Sequence, residues 1–185
     1  MVTLPETSGG STPPNPLAMT AKISEILSAH PAVRRAETAI VPHDGQNVAI
    51  AAAELSEYVS GPILRNHVRL ELGEDSGPAG VLIVEQMPMA DGVVDVEFLA
   101  SAVAEGRCAL FEDPRDDVER RMAAIWSAQM GVQRVGVNDD FLELGGDSLS
   151  ALGIIAAIET EFGRSLDVYE FMSAASVRRL AEILR

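Results

Sequence analysis

The stretch Asp139-Asp140-Phe141-Leu142-Glu143-Leu144-Gly145-Gly146-Asp147-Ser148-Leu149-Ser150-Ala151-Leu152 decides how the C-terminal part of this chain is read. Gly145-Gly146 lets the backbone make an exposed turn without side-chain obstruction. Asp147 is suited to cap a helix expected to run to residue 162, and Gly163 is placed to end it. Ser148 then falls in the first turn, where unpaired N–H groups and the positive end of the helix dipole favour an anionic group such as a phosphodiester. Leu149 and Leu152 flank the serine and offer a small apolar surface to partner proteins.

Outward from that stretch the pattern is purely helical. Val118, Met122, Ile125 and Trp126 share one helical face, and Gly131 ends that helix. Residues 132–144 read as an irregular crossing segment, 168–171 as a short turn, and 176–184 as a last helix. Residues 118–185 are therefore expected to form a compact all-α bundle. Upstream, residues 106–117 hold Gly, Pro and four acids and read as a linker.

Residues 16–105 read as a small α+β subdomain. Asn15-Pro16 starts a helix bearing Leu17, Ile23, Ile26 and Leu27 that stops before Pro31. Strands at 36–41 and 48–55 flank a connection with Asp44-Gly45 turn chemistry, so the pair is expected to be antiparallel. Gly61-Pro62 opens a helix carrying Ile63, Leu64, Val68 and Leu70. A loop over 73–80, a buried strand at 81–84, a connection over 87–92 and a helix from Asp95 bearing Phe98, Leu99, Ala102 and Val103 complete the unit. Residues 1–15, rich in Pro, Gly, Ser and Thr, read as a flexible tail.

Charge and composition exclude several classes. The 185 residues carry a formal charge of −14, and both halves share the acidic excess. Such a surface repels phosphate backbones and anionic membranes, so neither nucleic acid nor membrane is an expected partner. Proteins with basic docking faces are. The single cysteine, Cys108, excludes an internal disulfide and a cysteine zinc cluster, and a reducing cytoplasmic compartment is expected. No apolar run approaches a membrane-spanning length.

The stretch around Ser148 resembles the thiolation, or peptidyl carrier, domains of nonribosomal peptide synthetases. The resemblance covers residues 115–185, including Val135 to Phe141 before the motif and Val177-Arg178-Arg179-Leu180-Ala181 after it. It implies an all-α four-helix carrier bundle over residues 118–185, in which Ser148 bears a 4′-phosphopantetheine arm attached from coenzyme A by a phosphopantetheinyl transferase. The arm would hold an aminoacyl or peptidyl group as a thioester for antibiotic-type secondary metabolism. Asp147, Leu149 and Leu152 would face partners, and no residue of the chain would be catalytic or bind metal. An acyl carrier of a polyketide or hybrid pathway is the neighbouring alternative; Gly146 favours the peptidyl type, whereas Asp147 is the residue acyl carriers usually hold. A bare Gly-Gly turn with a capped helix is the plainest alternative. Gly146-Asp147-Ser148-Leu149-Ser150 also spells the opening block of the GDSL esterases. Those need a base on a downstream histidine, and His67 is the last histidine here.

Residues 23–41, with His30-Pro31-Ala32-Val33, resemble the helix and strand of the small C-terminal subdomain of adenylation domains, which precedes a carrier. That family carries a lysine in the loop matching Met87-Pro88-Met89-Ala90-Asp91-Gly92-Val93-Val94-Asp95, and here Val93 stands in its place. A valine can neither pair with a carboxylate nor donate to a phosphate. Lys22, the only lysine, lies in the first helix. The resemblance therefore implies a degenerate adenylation subdomain, with loading in trans by a stand-alone adenylating or acyl-transferring enzyme and delivery to a condensation or tailoring enzyme. A further alternative is that this unit is a docking module recruiting a stand-alone enzyme. His30, His43 and His67 have no metal-ligand spacing. Cys108 reads as a linker thiol, Trp126 as core, and Asp113, Asp116, Asp117 and Glu119 as a solvated helix start.

Overall fold

The computed structural model describes residues 15–73 and 76–185. The tail expected over 1–15 lies outside them apart from Asn15, as do residues 74 and 75.

The N-terminal unit is a three-stranded sheet with helices on both faces. Helix α1 (Pro16–Ala29) starts where Asn15 Oδ1 accepts the Leu17 N–H at 3.1 Å. Strands β1 (Val33–His43) and β2 (Gln46–Leu55) form an antiparallel hairpin with Val41 opposite Val48. Asp44 and Gly45 turn it with φ of 48° and 77°, the left-handed pair that matches strand twist. β1 runs through Pro42 because it is an edge strand, where a missing N–H costs no ladder bond. Helix α2 (Gly61–Leu72) crosses over to β3 (Gly80–Val84), which pairs parallel to β2 with Ala52 opposite Leu82.

The central strand β2 is buried on both faces, which is why its middle reads Ile50-Ala51-Ala52-Ala53 without polar alternation. Ala51 and Ala53 pack with Ile23, Leu27, Leu64 and Val68 of α1 and α2. Ile50 and Ala52 face the other way, toward Leu99, Ala102 and Val103 of helix α3 (Val96–Ala104). Between β3 and α3, where a plain connection was expected, the chain makes a small hairpin of β4 (Met89–Ala90) and β5 (Val93–Val94), turning at Asp91-Gly92.

Several side chains depart from the helical-stripe reading. Leu17 and Leu70 are exposed and Phe98 is partly so, whereas α2 buries Arg65, Asn66 and Arg69. Residues 106–117 are bonded on both sides: the Phe111 N–H reaches Ala79 O at 2.7 Å, and Glu112 O accepts the Val137 N–H at 3.0 Å. Cys108 is not a reactive thiol on an open strand. It is buried in the core under α3, and desolvation pushes its pKa up to about 11.

The C-terminal unit packs α4 (Asp117–Met130), α5 (Ser148–Phe162), α6 (Val168–Ala174) and α7 (Val177–Leu184) into a helical bundle. The rings of Trp126, Phe141 and Phe171 meet with centroids 5.0–5.9 Å apart at its centre, as aromatic clusters prefer. Met122, Ile154, Ile158, Val177 and Leu180 surround them. Glu119 departs from the solvated reading: it is buried, with Arg178 at 3.5 Å and Arg185 at 3.6 Å, while Asp116 caps α4.

Candidate functional site

The approach to Ser148 is built from Phe141. Its ring lies in the bundle core and its N–H donates to Ala175 O at 2.9 Å. Asp140 Oδ1 accepts the Leu142 N–H at 2.8 Å, tightening the turn that follows, and Gly145 completes it with φ of 86°. The Gly146 N–H returns to Phe141 O at 2.9 Å, which lays the glycine against the ring. A Cβ on Gly146 would stand 2.4 Å from Phe141 Cζ, so this position requires the bare backbone. The second glycine is therefore a packing requirement of the core as well as a turn residue.

Asp147 caps α5. Its Oδ1 accepts the Ser150 N–H at 2.8 Å, and its own N–H donates to Ser150 Oγ at 2.9 Å, a reciprocal box. Those bonds, the Ser150 backbone foremost, hold its carboxyl below the usual carboxylate range. The carboxylate is thus turned toward Ser150. Ser148 occupies the first helical position and is exposed, and its hydroxyl makes no hydrogen bond to any described residue. A serine nucleophile of a hydrolase needs a base within hydrogen-bond reach, and among the described residues none stands there.

The structure places Asp147, Ser148, Leu149 and Leu152 together on the exposed start of α5; Leu149 is 79% and Leu152 55% exposed. Leu142, just before the glycines, is exposed as well, as are Val168 and Tyr169 of α6. Sequence reading passed over these three, although an apolar residue following an Asp-capped turn was a signal available for Leu142. A groove of about 370 Å³ lies beside the serine, lined by Gln129, Met130, Gly145, Asp147, Leu149 and Ser150. An exposed hydroxyl free of hydrogen bonds among the described residues, beside a glycine turn, fits a phosphodiester at Ser148.

The N-terminal unit presents no comparable chemistry at its matching loop. Val93 lies exposed on β5. Lys22 pairs with Glu25 at 3.0 Å on α1, across the sheet from the core that holds Val94. His30 and His67 meet ring to ring, centroids 4.9 Å apart, and burial and the His67 charge lower the pKa of His30. Among the described residues no group of three or more His, Cys, Asp or Glu could hold a metal ion. No helix of the described residues is long and apolar enough to cross a membrane.

A family model described as the phosphopantetheine attachment site matches residues 120–184. Isonitrile lipopeptide synthase of Mycobacterium tuberculosis is 38% identical over 108 residues, 58% of this chain and 4% of that protein. Gramicidin S synthase 2 of Brevibacillus brevis is 30% identical over 166 residues, 88% of this chain and 4% of that protein. The chain thus spans about one twenty-fifth of the length of these relatives. Among solved structures, the adenylation–carrier pair of McyG with phenylalanyl-adenylate aligns over 89% of this chain and 30% of that one, at 22% identity and a TM-score of 0.41. The peptidyl carrier protein seen with the phosphopantetheine transferase Sfp and coenzyme A aligns over 40% of this chain and 96% of that one, at 27% identity and a TM-score of 0.40. With the family match lying on the helical bundle, residues 120–184 match the phosphopantetheine-attachment family.

Proposed function

We propose that this chain is a carrier in nonribosomal peptide biosynthesis, with Ser148 as the attachment residue and loading in trans. The observation that carries the reading is the Ser148 hydroxyl: exposed, free of hydrogen bonds among the described residues, and seated at the first position of a capped helix behind a glycine turn. In the attachment step Ser148 Oγ forms a bond to the phosphorus bearing the pantetheine of coenzyme A. The bond from that phosphorus to the nucleotide breaks, adenosine 3′,5′-bisphosphate leaves, and the hydroxyl proton passes to a base of the transferase. Once bound, the arm supplies a thiol that carries an acyl group as a thioester.

The chain's own residues present the oxygen rather than activate it. Gly145 and Gly146 keep side chains out of the approach, and Asp147 holds the helix start by taking the Ser150 N–H. Leu149 and Leu152 offer apolar contact to the transferase, to the enzyme that loads the arm and to a downstream condensation or tailoring enzyme. Basic rims on those enzymes suit a surface of −14 net charge in the cytoplasm. The N-terminal unit does not adenylate, because Val93 replaces the charge-stabilising lysine.

The test is incubation with coenzyme A and a broad-range phosphopantetheinyl transferase, read by intact mass and peptide mapping. A mass gain confined to the Ser148 peptide is expected; no gain there overturns the reading. ATP–pyrophosphate exchange by the purified chain with any amino acid would overturn loading in trans.

A further inference from the structure

Away from Ser148, the densest unexplained chemistry lies where α2 of the N-terminal unit meets the carrier. Arg65 and Asp139 are each 1% exposed and form an ion pair across that seam. Asp139 Oδ2 also accepts the Gly136 N–H at 2.7 Å. Beside them Ser60 Oγ donates to the Glu143 carbonyl, and Asn66 Oδ1 accepts the Arg134 N–H at 3.3 Å. The ring of Phe111 lies beneath the guanidinium groups of Arg65, Arg69 and Arg134, with centroid distances of 5.0, 3.8 and 4.9 Å. The carrier groups bonded here all belong to residues 134–143, the segment that leads into the Gly145-Gly146 turn.

A buried carboxylate is tolerated only with its countercharge in place, and removing one partner of such a pair strands the other. Asp139 takes that countercharge from a different unit. Two residues on, Phe141 is bonded to Ala175 O and carries Gly146 against its ring, so a displacement at Asp139 is transmitted toward Ser148 through close packing. Arg69 lies in the same seam, stacked on Phe111 rather than hydrogen-bonded to Asp139. Its Nε and Nη1 are buried without a hydrogen-bond partner, and burial with the neighbouring charges of Arg65 and Arg134 lowers its pKa to about 10.

We propose that Arg65 is a positioning residue for the carrier: by neutralising Asp139 it docks the N-terminal unit on residues 134–143, so that the two units present Ser148 as one body. The link to Ser148 rests on the attachment reading above; the docking does not. The unit that has lost its lysine thereby acts as a fixed platform beside the arm.

The test uses the full chain, 15N-labelled, with relaxation measured for amides of both units. One shared tumbling time is expected for the wild type, and two distinct times would overturn the proposal before any variant is made. Arg65→Met is expected to split the tumbling times, to speed hydrogen exchange at Gly136 and Gly146, and to raise the transferase KM for the chain several-fold with kcat unchanged. Adding Asp139→Asn to Arg65→Met removes the stranded charge and is expected to restore single-body tumbling and most of the KM, whereas Lys22→Met, on the exposed side of α1 away from the seam, leaves both at wild-type values. Arg65→Met that tumbles as one body with a wild-type KM, or a double variant no better than the single one, would overturn the proposal. A wild-type chain that tumbles as one body yet gains no mass on Ser148 sinks the attachment reading and leaves the docking standing.

Discussion

Two exposed turns of this molecule are built alike and carry opposite chemistry. The turn before α5 and the hairpin turn between β4 and β5 each bend at a glycine with positive φ, Gly145 and Gly92. Each corresponds, by resemblance, to a working loop of a peptide-synthetase part. The first ends on an unencumbered hydroxyl, Ser148; the second displays Val93, 65% exposed, where a lysine is expected. The cores beneath both are intact, with Phe141 under one and Val94 under the other. The core beneath each turn is filled whichever side chain the turn displays, because an exposed side chain contributes almost nothing to packing.

The largest effect that comparison predicts is at its functional end. Ser148→Ala is expected to abolish the mass gain from coenzyme A and transferase while leaving the circular dichroism spectrum and the thermal midpoint unchanged. An exposed side chain without hydrogen bonds can be removed at no cost to folding. Residual labelling elsewhere on the chain would break the comparison, because the carrier turn would then be no more reactive than the hairpin.

Gly146 joins scaffold to chemistry and comes second. A methyl group there meets the Phe141 ring at 2.4 Å. Gly146→Ala is expected to cost about 1–3 kcal/mol, the range for overpacking a filled core. A lowered thermal midpoint checks it. An unchanged midpoint would mean that the Phe141 ring gives way to the added methyl group.

Much of this was legible in the sequence because the deciding residues speak locally. Asp147 before an apolar run announces a cap, Gly163 a stop, and Asp44-Gly45 a hairpin. The helical bundle and the small sheet unit before it follow from such signals. What the sequence concealed depends on partners distant in the chain. Sequence reading gave α2 only its apolar residues Ile63, Leu64, Val68 and Leu70, yet Arg65, Asn66 and Arg69 are buried: Asp139, more than seventy residues away, pairs with Arg65, Asn66 accepts the Arg134 N–H, and Arg69 stacks on Phe111. Leu70 and Phe98 sit outward for the complementary reason that the sheet faces were already filled. Cys108 read as a linker thiol because nothing in its neighbours shows that α3 folds over it.

The pH dependence separates the two units by smaller effects. Hydrogen bonds hold Glu112 (from Arg178) and the caps Asp116 (from Glu119) and Asp147 (from Ser150) below their ordinary values. The native chain therefore gives up these protons more readily than the unfolded chain, and stability from them is full above the unfolded carboxylate range, roughly pH 4. It is lost as pH falls through the depressed values. Glu143, raised by burial, works in the opposite sense and softens the loss. Cys108 in the N-terminal core is shifted upward to about 11, so its contribution is complete below the unfolded thiol value and disappears as pH rises toward 11. Denaturation midpoints should fall on the acid side through the carrier and the 106–117 segment, and on the alkaline side through the sheet unit. Cys108 should react with a thiol reagent at neutral pH far more slowly in the native chain than in the unfolded one.

The smallest expected effect is the sharpest test of what the comparison teaches. Val93→Lys restores the family's residue type on the surface of β5, where a lysine stem fits without displacing anything. Stability should move by no more than about 0.5 kcal/mol, the usual span for an exposed substitution. Transferase modification of Ser148 should be untouched, and ATP–pyrophosphate exchange should remain at background. A lysine stabilises developing charge only where a substrate is held against it, and Val93 stands exposed on a two-residue strand. Exchange activity in Val93→Lys would show that one side chain separates the two turns; its absence shows that the N-terminal unit lacks a binding surface as well as a cation.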